Sequence, residues 1–474
     1  MVASYLRRVT NVGEVTSPIT AERRELRAML HLAAPLVAAE LGWMLMGIVD
    51  TMCVGRVSPS AIGAVGLGSM TFYTVGIFAA GLLLGLDTLV SQSYGAGDLD
   101  DCRHSLINGI WLSILLMIPV MLGLEACVPL LARFGVDPDV MRDTRPYMHV
   151  LNFSSLPLLL YFAFRRYLQS VNIVRPIMIA LVTANVVNLA GNLLFVFGLL
   201  GAPRLGATGA AWATLLSRAY LAIVLAIVIL KHDPRIMHVS WKPDFTRVGR
   251  LFHLGLPAAT QIGLETAVFA TVTVLIGKIG ATALAGHQIA LSTVSTTFMI
   301  PLGISSAAAV RVGHAIGRGD PEGAARSGWT GLGLGAIVMS ISAFVLLVFP
   351  EAIARVFTPD VAIIAAGAAL LRVAAFFQLF DGLQVVATGA LRGAGDTRTP
   401  MFCHFTGYWV IGLPVGVLLC FHYGLGAEGL WMGLSGGLIL IGIVLVFMWR
   451  HAVGRLASTP RLTDVVISAN VESE

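Results

Sequence analysis

Residues 251–320 read LFHLGLPAATQIGLETAVFATVTVLIGKIGATALAGHQIALSTVSTTFMIPLGISSAAAVRVGHAIGRGD, and this stretch decides the fold. It contains two long apolar segments, a carboxylate inside the first of them (Glu265) and a glycine-rich end. A shift of 222 positions superimposes about 64 of these residues on an earlier stretch without an insertion. The matched pairs include Pro257 with Pro35, Gly277 with Gly55, Thr293 with Thr71, Gly303 with Gly81, and Gly317 with Gly95. The chain is therefore predicted to contain two copies of one unit.

The composition excludes a soluble protein. Of 474 residues, 57% are hydrophobic and 12% are charged, with a mean hydropathy of +0.83, whereas soluble domains carry about 25% charged residues. Apolar runs of this length suit helices that cross a bilayer, which needs about 20 residues at 1.5 Å each. Barrel strands would alternate apolar and polar residues and stop after about ten. We predict an all-α polytopic membrane protein with two parallel-repeat bundles of six transmembrane helices each.

The polar breaks divide the chain into twelve predicted spans. A tail at 1–27 precedes a first bundle at 28–230, and a linker at 231–246 leads to a second bundle at 247–450 and a tail at 451–474. The predicted spans are 28–50, 61–90, 104–125, 145–166, 174–199, 206–230, 247–276, 283–311, 325–349, 361–390, 398–420 and 427–449.

Lysine and arginine residues at the breaks predict the orientation. The side that carries both tails and the linker has 22 of them, and the opposite side has 8. Because positive residues favour the cytoplasmic side, we expect both tails and the linker to be cytoplasmic, in a multi-pass protein of the plasma (inner) membrane. The first span directly follows a polar tail and is expected to direct insertion itself.

Six spans per repeat give both copies the same orientation, with a symmetry axis along the membrane normal. Transporters built from parallel repeats place the substrate path between the bundles and alternate access by rocking. The duplication therefore favours a transporter. No P-loop motif for ATP hydrolysis occurs in the sequence, so we expect an ion gradient or a partner protein to supply the energy.

Carboxylates inside membrane spans are functional candidates because burying them is unfavourable. Glu265 lies about 18 residues into span 7, and Gln261 lies one turn earlier on the same face. Such a carboxyl group can carry a proton or coordinate Na⁺ with neighbouring oxygens. The alternative is a protonated glutamate that is hydrogen-bonded for structural reasons.

Span 10 carries a polar stripe. Phe377, Gln378, Asp381, Gln384 and Thr388 share one helix face by their spacing. A polar stripe through an apolar span requires a wet cavity or polar partners on other helices. We expect Asp381, with Gln378 and Gln384 beside it, to contribute to a cavity.

A third candidate acid, Asp50, closes span 1. Trp43, Met46 and Asp50 share a face and suit a cavity wall for flat or cationic ligands. The alternative places Asp50 with Arg56 at the water interface. Two other acids, Asp87 and Glu40, are left without an assigned role.

Span 5 contains three asparagines, Asn185, Asn188 and Asn192, at helical spacings of three and four residues. One interpretation is a hydrogen-bond network to Asp50, and the other is ordinary contact between helices. Arg218 in span 6 needs a carboxylate or carbonyl partner. The histidines and the five cysteines are scattered, so we expect no metal centre, disulfide framework or cofactor.

Four stretches resemble the multidrug and toxic compound extrusion (MATE) family. They are VDTMCVGRVSPSAIGAVGL at 49–67, SQSYGAGD at 91–98, GHQIALSTVSTTFMIPLGISSAAAVRVGHAIGRGD at 286–320 and TGALRGAGDTRTP at 388–400. The resemblance covers nearly all of 28–450, and the acids in spans 7 and 10 are similar to those of the NorM-type branch.

The resemblance implies a V-shaped antiporter that expels organic cations and drugs against inward H⁺ or Na⁺. Carried onto this sequence, Glu265 and Asp381 would hold the coupling cation, with Na⁺ as one alternative, and Asp50 would be the acid of the first bundle. The chain departs from the branch at Phe377, where a tyrosine is frequent, so one oxygen ligand is missing. We expect small cationic substrates, a lipid bilayer environment, no nucleic acid and a monomer.

Three alternative functions remain open. A flippase for lipid-linked oligosaccharide and an exporter of organic anions would both need basic residues in the cavity, where the sequence offers Arg218. A membrane enzyme would need a clustered set of catalytic side chains at one membrane surface, and the sequence shows none.

Overall fold

The apolar segments of the sequence form long helices. The computed structural model describes residues 18–133 and 138–458. Among these residues, eleven helical stretches are long and apolar enough to cross a membrane, and a pair bent by 46° makes a twelfth. The prediction of an all-α protein with twelve spans is confirmed.

Most of the described spans are longer than predicted, span 5 is shorter, and three of the spans are broken or irregular. Span 2 consists of two helices, span 4 is the bent pair, and span 11 contains π-helical turns. In chain order the spans are Pro18–Val54; Pro59–Leu82 with Gly85–Ala96; Leu99–Arg133; Pro138–Asn152 with Ser155–Ser170; Arg175–Phe195; Ala207–His232; Phe245–Gly277; Ala281–Gly317; Pro321–Val348; Val361–Gly393; Arg398–His404 continuing through Phe405–Gly412, Leu413–Val417 and Leu418–His422; and Gly426–Ser458.

Shorter helices connect some of the spans. A helix at Pro350–Phe357 separates spans 9 and 10, and 3₁₀ turns lie at Leu199–Gly201 and Pro234–His238. We call spans 1–6 the first lobe and spans 7–12 the second lobe.

The predicted tails are partly helical. Residues 18–27 continue the helix of span 1, which begins at Pro18. Their helix is held because Glu25 pairs with Arg311 of span 8 and accepts a hydrogen bond of 2.8 Å from Ser327 Oγ. Residues 451–458 likewise continue span 12. The predicted tail segments 1–17 and 459–474 lie outside the described residues.

Each lobe has its own apolar core, and the first span of each lobe also packs in the core of the other. Met29 and Leu32 at the start of span 1 lie in the core of the second lobe, whereas Met46 lies in that of the first. Span 7 does the reverse, with Leu251 in the first core and Val268 in the second. Met29 and Leu251, and Met46 and Val268, are each 222 positions apart, so the crossing follows the repeat.

The lobes meet closely at the end that carries the 231–246 linker, which we call the linker end. A Cβ atom added to Gly95 of span 2 would collide with the His314 backbone of span 8, and one added to Gly317 would collide with the Gln92 backbone. These two contacts are related by the same shift of 222. Only glycine allows the backbones of spans 2 and 8 to approach so closely, and the linker end is therefore closed.

The linker itself packs on span 3. Asp233 forms an ion pair with Arg103, with 2.6 Å between Oδ2 and Nε. The Asp244 amide donates to Asn108 Oδ1 at 2.8 Å, and the Asp244 side chain caps the first turn of span 7. Hydrogen bonds and an ion pair therefore fix the connection between the lobes to the first lobe.

Candidate functional site

The first lobe contains a cavity of about 330 Å³. Its walls include the side chains of spans 1, 2, 4 and 6. The lining residues used below are Trp43, Met46, Asp50, Phe72, Thr214 and Arg218. Trp43 stacks on Tyr161 with ring centroids 5.7 Å apart and an interplanar angle of 4°, which gives the cavity one flat aromatic wall. Trp43 and Met46 therefore lie where the sequence predicted a cavity wall.

Asp50 is held in this cavity by neutral donors. Asn188 Nδ2 and Asn192 Nδ2 donate to Oδ1 at 2.9 and 2.6 Å, and Thr214 Oγ1 donates to Oδ2 at 2.8 Å. Within residues 18–133 and 138–458, no lysine or arginine lies within 4.0 Å of this carboxyl group. A carboxyl group that is hydrogen-bonded but lacks a cationic partner can attract a cationic ligand.

Asn185 does not join the predicted network. Its Nδ2 donates to the carbonyl oxygens of Gly42 and Leu181, each at 2.9 Å, and so connects span 5 to span 1. The interpretation as helix contact holds for Asn185, whereas Asn188 and Asn192 contact Asp50. Asn188 and Asn192 are four residues apart and therefore present their side chains on the same face, with Asn185 at its edge.

Arg218 lies in the cavity wall, where no acid of the described residues is within 4.0 Å of its guanidinium, although its charge interacts with that of Asp50. Its Nη1 donates to Ser154 Oγ at 2.6 Å, and its guanidinium carbon lies 4.4 Å from the centroid of the Phe72 ring. Its Nε atom is buried and has no hydrogen-bond partner among the described residues. The sequence required a carboxylate or carbonyl partner for Arg218; the structure provides a hydroxyl and an aromatic face instead.

The second lobe brings the other predicted acids together. Asp381 is 4% exposed, and Gln384 Nε2 donates to its Oδ1 at 3.2 Å. Glu265 is partly buried, and in the described part of the chain no side chain donates a hydrogen bond to it. The two carboxyl groups are close enough for their charges to interact. The arrangement suits the binding of a small cation, because an enclosed carboxyl group and a partly buried one interact here.

Span 11 completes this cluster, which we call the acid cluster. Its His404 is fully buried, and its Nε2 lies 2.7 Å from Gln384 Oε1 and 3.4 Å from Gln261 Nε2. Trp409 Nε1 donates to the Leu264 carbonyl at 3.1 Å and so fixes span 11 beside Glu265. His404 stands directly before the π-helical stretch at 405–412, and π-turns inside α-helices frequently mark functional sites.

Tyr408 brings a hydroxyl group to the acid cluster. It is fully buried, its ring lies 5.8 Å from that of His404, and its charge interactions include Glu265 and Asp381. The hydroxyl has no hydrogen-bond partner among the described residues. Phe377, where the family comparison calls for an oxygen, is instead buried with its ring 6.1 Å from Trp431.

Gln378 is turned away from the acid cluster. Its Nε2 donates to Thr297 Oγ1 of span 8 at 2.9 Å and to Ser342 Oγ of span 9 at 2.8 Å. The predicted polar stripe of span 10 is therefore divided. Gln384 faces Asp381 and span 11, whereas Gln378 joins three spans of the second lobe.

The two acids without an assigned role are both paired. Glu40 forms a buried ion pair with Arg165 of span 4, so Arg165, which was counted at the cytoplasmic membrane edge, lies inside the first lobe. Asp87 is fully buried and contacts Arg166 and Arg392, each at 3.3 Å, while Gln169 Nε2 donates to it at 2.7 Å. Asp87 is therefore held inside the protein by two arginines and a glutamine.

Comparison with known proteins agrees with this geometry. The family model named MatE matches the chain twice, over residues 35–194 and 257–418. The chain belongs to the MatE family. The two MatE matches begin 222 positions apart, which is the displacement of the repeat, so each lobe corresponds to one copy of the family unit.

Curated relatives of this MatE protein span nearly its whole length. It is 37% identical over 439 residues to the multidrug resistance protein NorM of Burkholderia vietnamiensis, covering 91% of this chain and 95% of the relative. It is 35% identical over 438 residues to the probable multidrug resistance protein NorM of Mesorhizobium japonicum, covering 90% and 94%. The NorM resemblance predicted from sequence is thereby confirmed.

The fold of this MatE protein is similar to solved structures of the family. The crystal structure of the eukaryotic MATE transporter AtDTX14 matches with a TM-score of 0.84 at 20% identity, covering 92% of this chain and 99% of that one. The MATE fold predicted from sequence, two bundles of six helices in a multi-span membrane protein, is therefore confirmed.

Three polar residues of the site had no signal in the sequence. Thr214 follows Ala213 in an ordinary apolar span, His404 has no partner at helical spacing except Tyr408, and Tyr408 resembles any interfacial aromatic. Thr214 donates to Asp50, and His404 contacts Gln384, which itself donates to Asp381. These contacts join residues on different spans of this MatE protein, which spacing along one helix does not reveal.

Proposed function

We propose that the chain is a secondary active multidrug efflux antiporter, which exports organic cations in exchange for H⁺ or Na⁺ by alternating access. One observation carries the proposal. Asp50 lies in an aromatic-walled cavity, where three neutral donors hold its carboxyl group and no lysine or arginine of the described residues lies within 4.0 Å, so this carboxyl group is available to a cationic ligand. The NorM names of the relatives support multidrug substrates, and the proposal makes the chain a transporter rather than an enzyme.

The coupling mechanism is competition between the ion and the drug for the negative charge of Glu265 and Asp381. In the state that is open away from the linker end, ions neutralise Glu265 and Asp381 and weaken the attraction between the acid cluster and a cationic drug, which is released. When the linker end opens, ion loss restores the negative charge and a new drug molecule binds from that side. Exchange results because drug and ion favour different states.

We place the linker end in the cytoplasm, as the distribution of lysine and arginine predicts, with the protein acting as a monomer in the plasma membrane. The closed linker end, at which spans 2 and 8 touch, then corresponds to a state open to the outside. Rocking of the two lobes about the crossing spans 1 and 7 would open the cytoplasmic side.

The decisive test is dye uptake into inverted membrane vesicles that contain the protein, with imposed H⁺ or Na⁺ gradients. We expect a fluorescent organic cation to accumulate under one of the gradients and the accumulation to be lost in Glu265→Gln. Accumulation that survives in Glu265→Gln would transfer the coupling role to Asp50. Absence of accumulation under both gradients, with folded protein, would contradict antiport of cations.

Export of an anionic metabolite or flipping of a lipid-linked one is the second candidate, and Arg218 supports it. Its guanidinium lines the same cavity as Asp50 and has no acidic partner among the described residues. The two candidates differ in the effect of Arg218→Gln. An anion exporter would lose transport in this variant, whereas a cation exporter would keep or increase it, because a repulsive charge has been removed. Uptake of one organic anion and one organic cation in parallel distinguishes the two.

A further inference from the structure

His404 is a buried titratable side chain of the acid cluster to which the coupling mechanism gives no role. It lies on span 11, and its two ring nitrogens face different partners. Nδ1 lies 2.7 Å from the Pro400 carbonyl oxygen, and Nε2 lies 2.7 Å from Gln384 Oε1. Gln384 in turn donates to Asp381 with its Nε2 at 3.2 Å. A chain of close polar contacts therefore runs from Asp381 through Gln384 to His404.

For a neutral His404, the directions of these hydrogen bonds conflict. A backbone carbonyl can only accept, so Nδ1 of His404 must carry a hydrogen. In a neutral imidazole, Nε2 is then an acceptor, which suits the amide nitrogen of Gln261 at 3.4 Å but not the Gln384 oxygen at 2.7 Å. The Gln384 amide cannot donate to Asp381 and to a neutral His404 at the same time.

Rotation of the Gln384 amide by half a turn removes the contact between two acceptors at His404 but creates such a contact at Asp381. The NH₂ group would then donate to Nε2 of His404, and the amide oxygen would face the Asp381 carboxyl group. That contact is favourable only when Asp381 is neutralised by a coupling ion, because two oxygens without a hydrogen or cation between them repel each other. The orientation of one amide is therefore tied to the loading of Asp381.

We propose that His404 is a positioning residue of the coupling site, which through the Gln384 amide favours the ion-loaded form of Asp381. The proposal rests on the antiport function proposed above. Because His404 offers an acceptor to Gln384, it holds the amide oxygen towards Asp381 and raises the affinity of Asp381 for the ion. When the ion leaves Asp381, the Gln384 amide rotates and its NH₂ group no longer donates to Nε2 of His404. The change is thereby transmitted from span 10 to spans 11 and 7.

The groups around His404 are consistent with this role. Span 7 contributes Gln261 and, one turn later, Glu265; span 10 contributes Asp381; and span 11 contributes Tyr408, with its ring 5.8 Å away. Span 12 packs here through Ile441 and Gly437 against Gly407. Within the part of the chain that the structure describes, no other acid or base hydrogen-bonds to the His404 ring.

A second buried histidine of the same lobe provides a matched control. His287 is also fully buried, but Trp431 Nε1 donates to its Nδ1 at 3.0 Å, so that its Nε2 donates to Thr273 Oγ1 at 2.8 Å. This pattern is consistent for a neutral ring and involves no acid. Replacement of His287 should affect packing without changing the concentration of coupling ion that gives half-maximal transport.

The test measures the ion concentration that gives half-maximal dye transport in reconstituted vesicles. His404→Gln offers a donor as readily as an acceptor, so we expect half-maximal activation to require about five- to tenfold more coupling ion, the equivalent of one net hydrogen bond. His287→Gln should leave this concentration unchanged. A lowered maximal rate in His404→Gln with an unchanged half-maximal concentration would assign His404 a structural role and overturn the proposal.

The double variant decides whether His404 acts through Gln384. With Gln384→Leu in the background, His404→Gln should no longer alter the half-maximal ion concentration; an equal shift in both backgrounds would overturn the proposal. The stabilisation of detergent-solubilised protein against heat by the coupling ion gives the same comparison without transport. Wild-type protein that shows no gradient-driven uptake but does show ion-dependent stabilisation would contradict antiport while leaving the role of His404 in ion binding intact.

Discussion

Asp87 of span 2 and Arg392 of span 10 form a buried ion pair between the two lobes, with 3.3 Å between Oδ2 and Nε. Around them, span 2 also satisfies the last carbonyl groups of span 10. Thr88 Oγ1 donates to the Arg392 carbonyl at 2.6 Å, and Gln92 Nε2 donates to the Gly393 carbonyl at 3.0 Å. The carbonyl groups that end a helix lack partners within it, so span 2 caps span 10 when the linker end is closed.

We expect Asp87→Asn to destabilise the protein more than Arg392→Gln. Loss of the Asp87 charge leaves two buried guanidinium groups without an acid, and breaking a buried pair by removing one partner costs about 3–5 kcal/mol. Loss of Arg392 leaves Asp87 with Arg166 and Gln169. Thermal unfolding of the solubilised variants measures the difference, and a larger loss in Arg392→Gln would contradict this account.

The glycine contacts of the linker end predict a paired effect. Gly317→Ala and Gly95→Ala should both prevent closure, because each added Cβ would meet the backbone of the opposite lobe. Gly333→Ala is the control, since an added Cβ there has no atom within 4 Å. Distances between spin labels on spans 2 and 8 should increase at the linker end in the first two variants and stay unchanged in the control.

Glu40 and Arg165 should be strongly coupled in a double-mutant cycle. Glu40→Gln leaves a buried guanidinium without its acid and should cost about 3–5 kcal/mol, whereas Glu40→Gln combined with Arg165→Met should cost clearly less. The stabilities of the four proteins give the coupling energy. Additive losses would show that the two residues act independently.

Replacement of Asn188 and replacement of Asn185 should have different effects on the affinity for a cationic ligand. Asn188→Leu removes a donor from Asp50, and we expect affinity for a fluorescent organic cation to fall about tenfold, equivalent to about 1.4 kcal/mol. Asn185→Leu removes only the contact with the Gly42 and Leu181 carbonyls and should bind the cation as the wild type does. Equal losses in equilibrium binding would place both asparagines in a structural role.

The sequence predicted the repeated unit and the residues that are neighbours on one face of a helix. Hydropathy gave the twelve spans, the 222-residue shift gave the duplication, and spacing placed Gln261 one turn from Glu265 and Gln384 beside Asp381. These relationships depend on the helical period, which a single sequence displays directly.

Helical spacing could not predict contacts between spans that are far apart along the chain. The partners of Asp87 lie on spans 4 and 10, and Thr214 meets Asp50 from span 6. His404 meets Gln384 only because span 11 packs beside span 10. Helical periodicity does not specify which spans are neighbours, so an isolated histidine or threonine in a span has no visible partner until the helices are packed.

Spans 1 and 7 connect the two lobes through their apolar cores, in addition to the covalent connection that the linker provides. The beginning of each of these helices contributes side chains to the apolar core of the opposite lobe, as in a domain-swapped dimer whose two chains have been joined. A single unduplicated copy of the unit would lack those side chains unless it exchanged its first helix with a second copy. The two halves, expressed as separate polypeptides, should therefore assemble with one another rather than fold alone. Gene fusion would then have joined two copies that already needed to exchange their first helices in order to fold.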